Sequence, residues 1–533
     1  MKKSNCLLPR SVRKDSHVTR SRQTAFGGLS SCAHATGQEI AHMKNMSPYA
    51  YPAIGTREKR FLYETDLVGR PHGIFRYEGV VVALGNALYS FDGTGNTQKL
   101  INAADMDKHM VSFGSMLFIQ PDGICYDFDG KTVRNLSVTT GLLTEVLLGD
   151  DYITYEGYPW SQNFSVGDGV ELYVKDYVLG SNLIFRCKII KIVNGTVFFD
   201  KTFDVQGTYS IGVTRIFPAA SAMCAVGDRL VSCVDHKVYV SEAGNPFNWC
   251  ASDGSDAAPL TIATAGGGCF TACHPWQGYA ILFKKDRIFQ LLGRGADDYR
   301  VTEITAPGLT EKNARSLCEI NGKLYYLSEG GVYCYDGNYP RAVGKDLPYG
   351  LSNGVGGSDG VCYYLSALGQ DGMYHLYVYH TERDMWYEQD ALQAVAVVQN
   401  GDVLYIQTAG GQLLRTAREG EKLPDDGSVI YETASAFMSQ VIFGEEFGGT
   451  PDGLRLLCVS LRVDGEPGGE LKVEIAYDGG EIWEPVGVLK GGTHGMVQLR
   501  LLPRRASSYR LRLSMTGRWR VLEMFRDWEL GKQ

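Results

Sequence analysis

Gly123-Ile124-Cys125-Tyr126-Asp127-Phe128-Asp129-Gly130 is a phrase that the chain keeps rewriting. Leu88-Tyr89-Ser90-Phe91-Asp92-Gly93 precedes it and Val332-Tyr333-Cys334-Tyr335-Asp336-Gly337 follows it. Each reads as a short aromatic strand, alternating in and out, that ends on Asp-Gly. That dipeptide suits the positive φ of a tight hairpin turn. Looser versions are Val238-Tyr239-Val240, Arg287-Ile288-Phe289, Leu376-Tyr377-Val378-Tyr379 and Gln412-Leu413-Leu414. With Tyr89, Tyr126, Tyr239, Phe289, Tyr333, Tyr377 and Leu414 taken as equivalent, the spacings are 37, 113, 50, 44, 44 and 37 residues. A strand-and-turn period near forty residues is the signature of a β-propeller. The expected fold is all-β: a propeller of about six to seven blades, with something inserted where the spacing reaches 113.

Working outward, residues 1–60 read as a disordered leader (1–22) and an extended arm. Residues 61–146 hold the first propeller blades. Residues 147–216 break the rhythm with short strands around Asn194-Gly195, an inserted small β-barrel or β-meander. Blades resume over 217–420, and a polar linker follows at 421–429. From 430 to 533, runs such as Leu471-Lys472-Val473-Glu474-Ile475 and Tyr509-Arg510-Leu511-Arg512-Leu513 alternate apolar and charged residues. This pattern marks antiparallel strands with one wet face, and it predicts a C-terminal β-sandwich.

Composition agrees with this outline. A chain of 533 residues exceeds one core, and Gly 64 with Tyr 31 against 21% charged residues describes a turn-rich aromatic β protein. The net charge of −8 argues against a surface given wholly to nucleic acid. The 13 cysteines include no Cys-x-x-Cys pair. Cys125, Cys187, Cys334, Cys362 and Cys458 sit in apolar strands and read as buried, reduced thiols of a protein folded in a reducing cytoplasm. Cys269 and Cys273-His274 lack a second pair at zinc spacing, so neither metal nor cofactor is expected. No apolar stretch is long enough for a membrane span. The basic residues Lys2, Lys3, Arg10, Arg13 and Lys14 have no apolar segment behind them to make a secretory signal.

Catalytic motifs are sparse, and no enzyme is expected. Gly350-Leu351-Ser352-Asn353-Gly354 matches the nucleophile-elbow string, but Pro348 and the surrounding Gly and Asp residues read as a loop before a strand at 361–364. Ala476-Tyr477-Asp478-Gly479-Gly480-Glu481-Ile482-Trp483 resembles a sialidase Asp-box, read as a hairpin turn in which Asp caps amides and Trp packs beneath. Asp297-Asp298 and Asp425-Asp426 read as solvated loop carboxylates. Arg500, Arg510, Arg512, Arg518 and Arg520 alternate with apolar neighbours and are expected to share one solvent-facing side. They are the candidate subunit-contact residues, facing the acidic remainder of another copy in a head-to-tail ring.

Several phrases carry a family resemblance. Phe26-Gly27-Gly28, Asn45-Met46-Ser47, Pro52 and Arg57–Arg60 are similar to the opening of propeller-type phage tail proteins. Ser241-Glu242-Ala243-Gly244-Asn245-Pro246-Phe247-Asn248-Trp249 resembles an element those proteins carry inside a blade, as does Tyr377-Val378-Tyr379 with Asp384-Met385-Trp386. The family includes tail nozzle (tail tubular protein B) and stabilisation proteins, with prophage members in Firmicutes. The resemblance implies a structural virion component, made in the host cytoplasm, forming a homo-oligomeric ring with other tail proteins as partners and DNA in transit. Two other readings stand beside it. One is a receptor- or carbohydrate-binding tail adhesin, with Trp160, Trp276 and Trp483 stacking on sugars. The other is a propeller glycan hydrolase.

Overall fold

The computed structural model describes residues 18–31, 39–63, 67–91, 96–175, 181–250, 260–261, 268–293, 298–417, 421–423, 428–432, 437–447 and 453–530, and within them the protein is all-β. Seven sheets carry the repeat, each an antiparallel meander of strands side by side. The first comprises Pro71–Tyr77, Gly79–Leu84, Ala87–Phe91 and Thr97–Asn102. The next five span 109–135, 222–261, 272–305, 318–342 and 352–388. The seventh joins Ala394–Asn400, Val403–Thr408 and Leu413–Arg415 to a strand from far upstream, Phe61–Tyr63, with Leu414 opposite Leu62. Tyr89, Tyr126, Tyr239, Phe289, Tyr333, Tyr377 and Leu414 all fall in the third strand of their sheets. The second strands are covered on both faces and read as unbroken apolar runs, such as Leu117-Phe118-Ile119 and Ala280-Ile281-Leu282-Phe283. Most third strands keep a partly open face, and so they keep a recognisable pattern, whereas Leu413–Arg415 is buried throughout.

The Asp-Gly turns are less uniform than expected. Gly123 and Gly337 have φ of 67° and 104°, but after Asp129-Gly130 the positive φ falls on Lys131, at 50°. A side chain at Gly130 would meet the Asp127 carboxylate at 3.0 Å, so this glycine serves a close approach instead of a backbone twist. Asp92-Gly93 lies outside the described residues.

Successive sheets pack in chain order, mostly through their first strands. The fourth meets the fifth through the ring pairs Phe283–Tyr326 and Trp276–Tyr335. The cycle closes where Ala394–Asn400 lies against Pro71–Tyr77. There the fully buried Gln407 accepts from Gly73 N at 2.9 Å and donates to Ala83 O at 3.0 Å.

Between the second and third sheets, six strands from Val138 to Arg215 close into a barrel, so the insertion begins ahead of the expected 147 and the second sheet ends at Asn135 instead of running to 146. Its tightest hairpin is Asn194-Gly195, with φ of 45° and 79°, joining Asn182–Val193 to Thr196–Phe199. Val146, Leu172, Ile189, Val197 and Ile211 fill the interior.

The two remaining sheets face each other across a common core and use both ends of the chain. One is ordered Val18–Gln23, Trp519–Leu530, Leu454–Gly465, His494–Arg500, and Ile54–Gly55 also pairs with Trp519–Leu530. The other is ordered Ile40–Lys44, Met438–Phe443, Ser508–Thr516, Glu470–Tyr477, Glu484–Lys490. The expected leader is therefore too long: Val18–Arg22 belongs to a strand, paired from Glu529 to Phe525. Its pairing energy comes from a partner five hundred residues away, which no local pattern announces.

Candidate functional site

The segment between Ile54–Gly55 and Phe61–Tyr63 carries two buried arginines that join the arm to the rest of the molecule. Arg57 Nη2 meets Glu432 Oε1 at 2.5 Å and Asp390 Oδ2 at 3.3 Å, and its Nε donates to Asn45 Oδ1 at 3.0 Å. Arg60 Nη1 meets Asp390 Oδ2 at 2.6 Å, its Nη2 donates to Gln389 Oε1 at 2.7 Å, and its backbone N–H donates to Glu432 Oε2 at 2.9 Å. Asn45 reaches on to Met438 O at 3.0 Å. Arm, sixth sheet and C-terminal sheets thus share one charge network. Burial pushes the Asp390 and Glu432 carboxyls up, but the two guanidiniums outweigh it and hold both below the usual carboxylate range.

Beside this joint is a cleft of about 370 Å³ lined by Tyr49, Asp359, Tyr364, Arg518 and Arg520. Asp359 accepts from Tyr49 Oη at 2.5 Å and Tyr364 Oη at 2.9 Å, and from the backbone of Val361 and Cys362. With its acceptor positions occupied in this way, the carboxylate fixes the cleft wall.

A second joint holds the barrel. Asp168, 1% exposed, lies between Arg215 Nη1, at 2.8 Å, and Arg134 of the second sheet. On the opposite side, Asn245 donates to Gly167 O at 2.6 Å, Lys188 Nζ meets Glu242 at 2.7 Å, and Gly169 N donates to Phe247 O at 3.1 Å. A Cβ on Gly169 would stand 2.3 Å from Asn248 Oδ1. Ser241–Trp249 is a socket for the barrel.

The third feature is a cavity of about 420 Å³ around which Pro71–Tyr77, Ser352–Ser358 and Ala394–Asn400 begin. Asp107 braces its wall, 3.2 Å from His72 Nδ1 and 3.2 Å from Arg315 Nη2. His72 is fully buried, with Nε2 2.5 Å from Asp105.

The sequence-derived candidates fall in different places. Arg500 and Arg520 lie in one C-terminal sheet, Arg510 and Arg512 in the other, and Arg518 in the turn between the sheets. The expectation of one shared face is corrected, because consecutive strands of facing sheets cross from layer to layer. Arg512 Nε meets Glu474 at 2.7 Å, Arg510 donates to Gly480 O at 2.9 Å, and Arg518 meets Glu58 at 3.1 Å. Trp160 and Trp276 are buried, their ring N–H groups bonded to Tyr155 O and Gly322 O, so neither is open for stacking on sugar. Trp483 is covered by Arg512, 4.3 Å from its ring centre. Asp478 accepts from Ser507 and Ser508 backbone N–H across the sheet, a cap on a neighbouring strand rather than on its own hairpin.

Ser352 opens a strand instead of sitting in a loop, and the following strand is Cys362–Leu368. His274 meets Glu319 at 3.1 Å, and no group of three His, Cys, Asp or Glu residues among the described residues is placed to hold a metal ion. Asp297, Asp425 and Asp426 lie outside the described residues. Sequence reasoning quoted Arg57–Arg60 as a phrase but missed Asp390 and Glu432. The run of basic residues ahead of a strand was the available signal, since buried arginines require acidic partners.

No protein-family model matches the chain, and no curated protein matches it. Among solved structures it is similar to the computationally designed Ika8 protein at 10% identity, covering 67% of this chain and 99% of that one, TM-score 0.36. It is also similar to BamB from Moraxella catarrhalis at 12% identity, covering 69% and 99%, TM-score 0.36. For PorZ from Porphyromonas gingivalis the values are 11% identity, 90% and 80%, and TM-score 0.28. Likeness at this level carries no argument about activity.

Proposed function

We propose that this chain is a seven-bladed β-propeller bearing an inserted barrel and a terminal sandwich, and that it is a structural component of a phage or prophage tail. One observation carries the reading: the phrases that resemble tail proteins coincide with the joints. Asn45, Arg57 and Arg60 form the arm network, Gly28 lies against the backbone of Trp386, and Ser241–Trp249 is the barrel socket. A part that holds position within an assembly needs its modules fixed relative to one another, and buried charge networks with several partners supply that rigidity. In this reading the chain forms a homo-oligomeric ring with other tail proteins above and below, and catalyses no reaction. Native mass spectrometry of the purified protein, with immunogold labelling of induced particles, tests it. A closed ring and labelled tails are expected; a monomer missing from particles overturns the proposal.

A further inference from the structure

We propose that the 420 Å³ cavity at the start of the first strands binds a carboxylate-bearing monosaccharide unit, of the uronic acid type. Its volume falls in the range of small-molecule pockets. The argument rests on which polar groups are already engaged. Asp107 is held by Arg315 and His72. Arg70, Lys312, Asn353, Tyr374 and Gln393 also line the cavity, and none makes a side-chain hydrogen bond or ion pair among the described residues. The polar side chains of the two joints engage one another, whereas these five are left to solvent or to a ligand.

The chemistry of the set is specific. With Asp107 offset by Arg315, the lining cations Arg70 and Lys312 are set against Glu311 alone, one excess positive charge among the lining residues. A guanidinium and an ammonium lining one cavity suit a carboxylate. Asn353 and Gln393 each present a donor and an acceptor, which is what vicinal hydroxyls require. Tyr374, half-buried, adds a ring face and a hydroxyl.

The inference is independent of the tail assignment, since a binding assay and particle composition are read separately. D-glucuronate, D-glucose and acetate are titrated against the full chain by saturation-transfer NMR and calorimetry. Glucuronate is expected to bind, with glucose and acetate at least tenfold weaker. The double substitution Arg70→Gln, Lys312→Gln is expected to weaken glucuronate by roughly tenfold or more, as for lost charge-assisted bonds. Both side chains are exposed, so the melting temperature should not move. Gln393→Ala, which keeps the cations, should weaken glucuronate and leave acetate unchanged. The proposal is overturned if glucuronate fails to bind, if glucose or acetate binds as well, or if the double variant binds unchanged.

Discussion

Arg60 is 1% exposed and meets Asp390, Glu432 and Gln389 together, so removing it leaves two largely buried carboxylates to share Arg57, one negative charge in excess. Arg60→Met is expected to cost about 3–5 kcal/mol, the usual penalty for leaving a buried charge unpaired. Arg60→Lys should recover part of it, because an ammonium keeps the charge but not the fork. Denaturant midpoints of the two variants check the ranking. The network also sets a pH dependence. Asp390 and Glu432 are held below their unfolded values, so their contribution is complete at neutral pH and fades as pH falls through the ordinary carboxylate range. Stability measured from neutral pH downward should decline below about pH 5, and Asp390→Asn should flatten that decline. His375 has the opposite sign. Burial pulls its pKa down, but Glu388 at 2.8 Å and Asp371 at 3.0 Å raise it overall. Its contribution is full below the ordinary histidine range and is lost as pH rises through the raised value. His375→Gln should remove that upper slope in the same titration.

At the scale of elements, the arm's approach to the sixth sheet is set by a single glycine. A Cβ on Gly28 would stand 2.6 Å from Trp386 O and 2.9 Å from Trp386 N, whereas one on Gly27 would meet nothing within 4 Å. Gly28→Ala should cost about 1–3 kcal/mol by forcing backbone apart, and Gly27→Ala should stay within about 0.5 kcal/mol of wild type. Thermal melts of the pair separate packing from composition. Much of this layer was legible in the residues. The seven aromatic or apolar markers found their third strands, and the long spacing found the barrel, because turns and alternation are local signals. Strand partners are not local. Val18–Gln23 and Ile40–Lys44 carry no mark that their neighbours are Met524–Glu529 and Gln440–Phe443. The arginine stripe was misplaced for the same reason: alternation says which residues share a face of one strand, not which sheet that strand joins. The cavity residues were invisible because they come together from three sheets and the Glu311–Ser316 turn, far apart in the chain.

For the whole molecule, the barrel is a part whose two ends pair with each other. Val138 faces Arg215 in register, and its core is separate from the others. Residues 136–217 expressed alone should give a single cooperative melt by circular dichroism, and the remaining chain, with a short Gly-Ser link in place of 138–215, should keep its own transition. No such excision is open to the arm. Phe61–Tyr63 finds its partner Leu413–Arg415 only after roughly 350 further residues have been made, on the order of tens of seconds at ribosomal speeds. Throughout that interval the opening strands have no neighbour, and Ile40–Lys44 waits longer still for Met438–Phe443. Residues near 40 and 60 thus depend on segments made hundreds of residues later, and a ribosome that stops before Leu413 releases a chain in which Ile40–Lys44 and Phe61–Tyr63 have nothing to pair with.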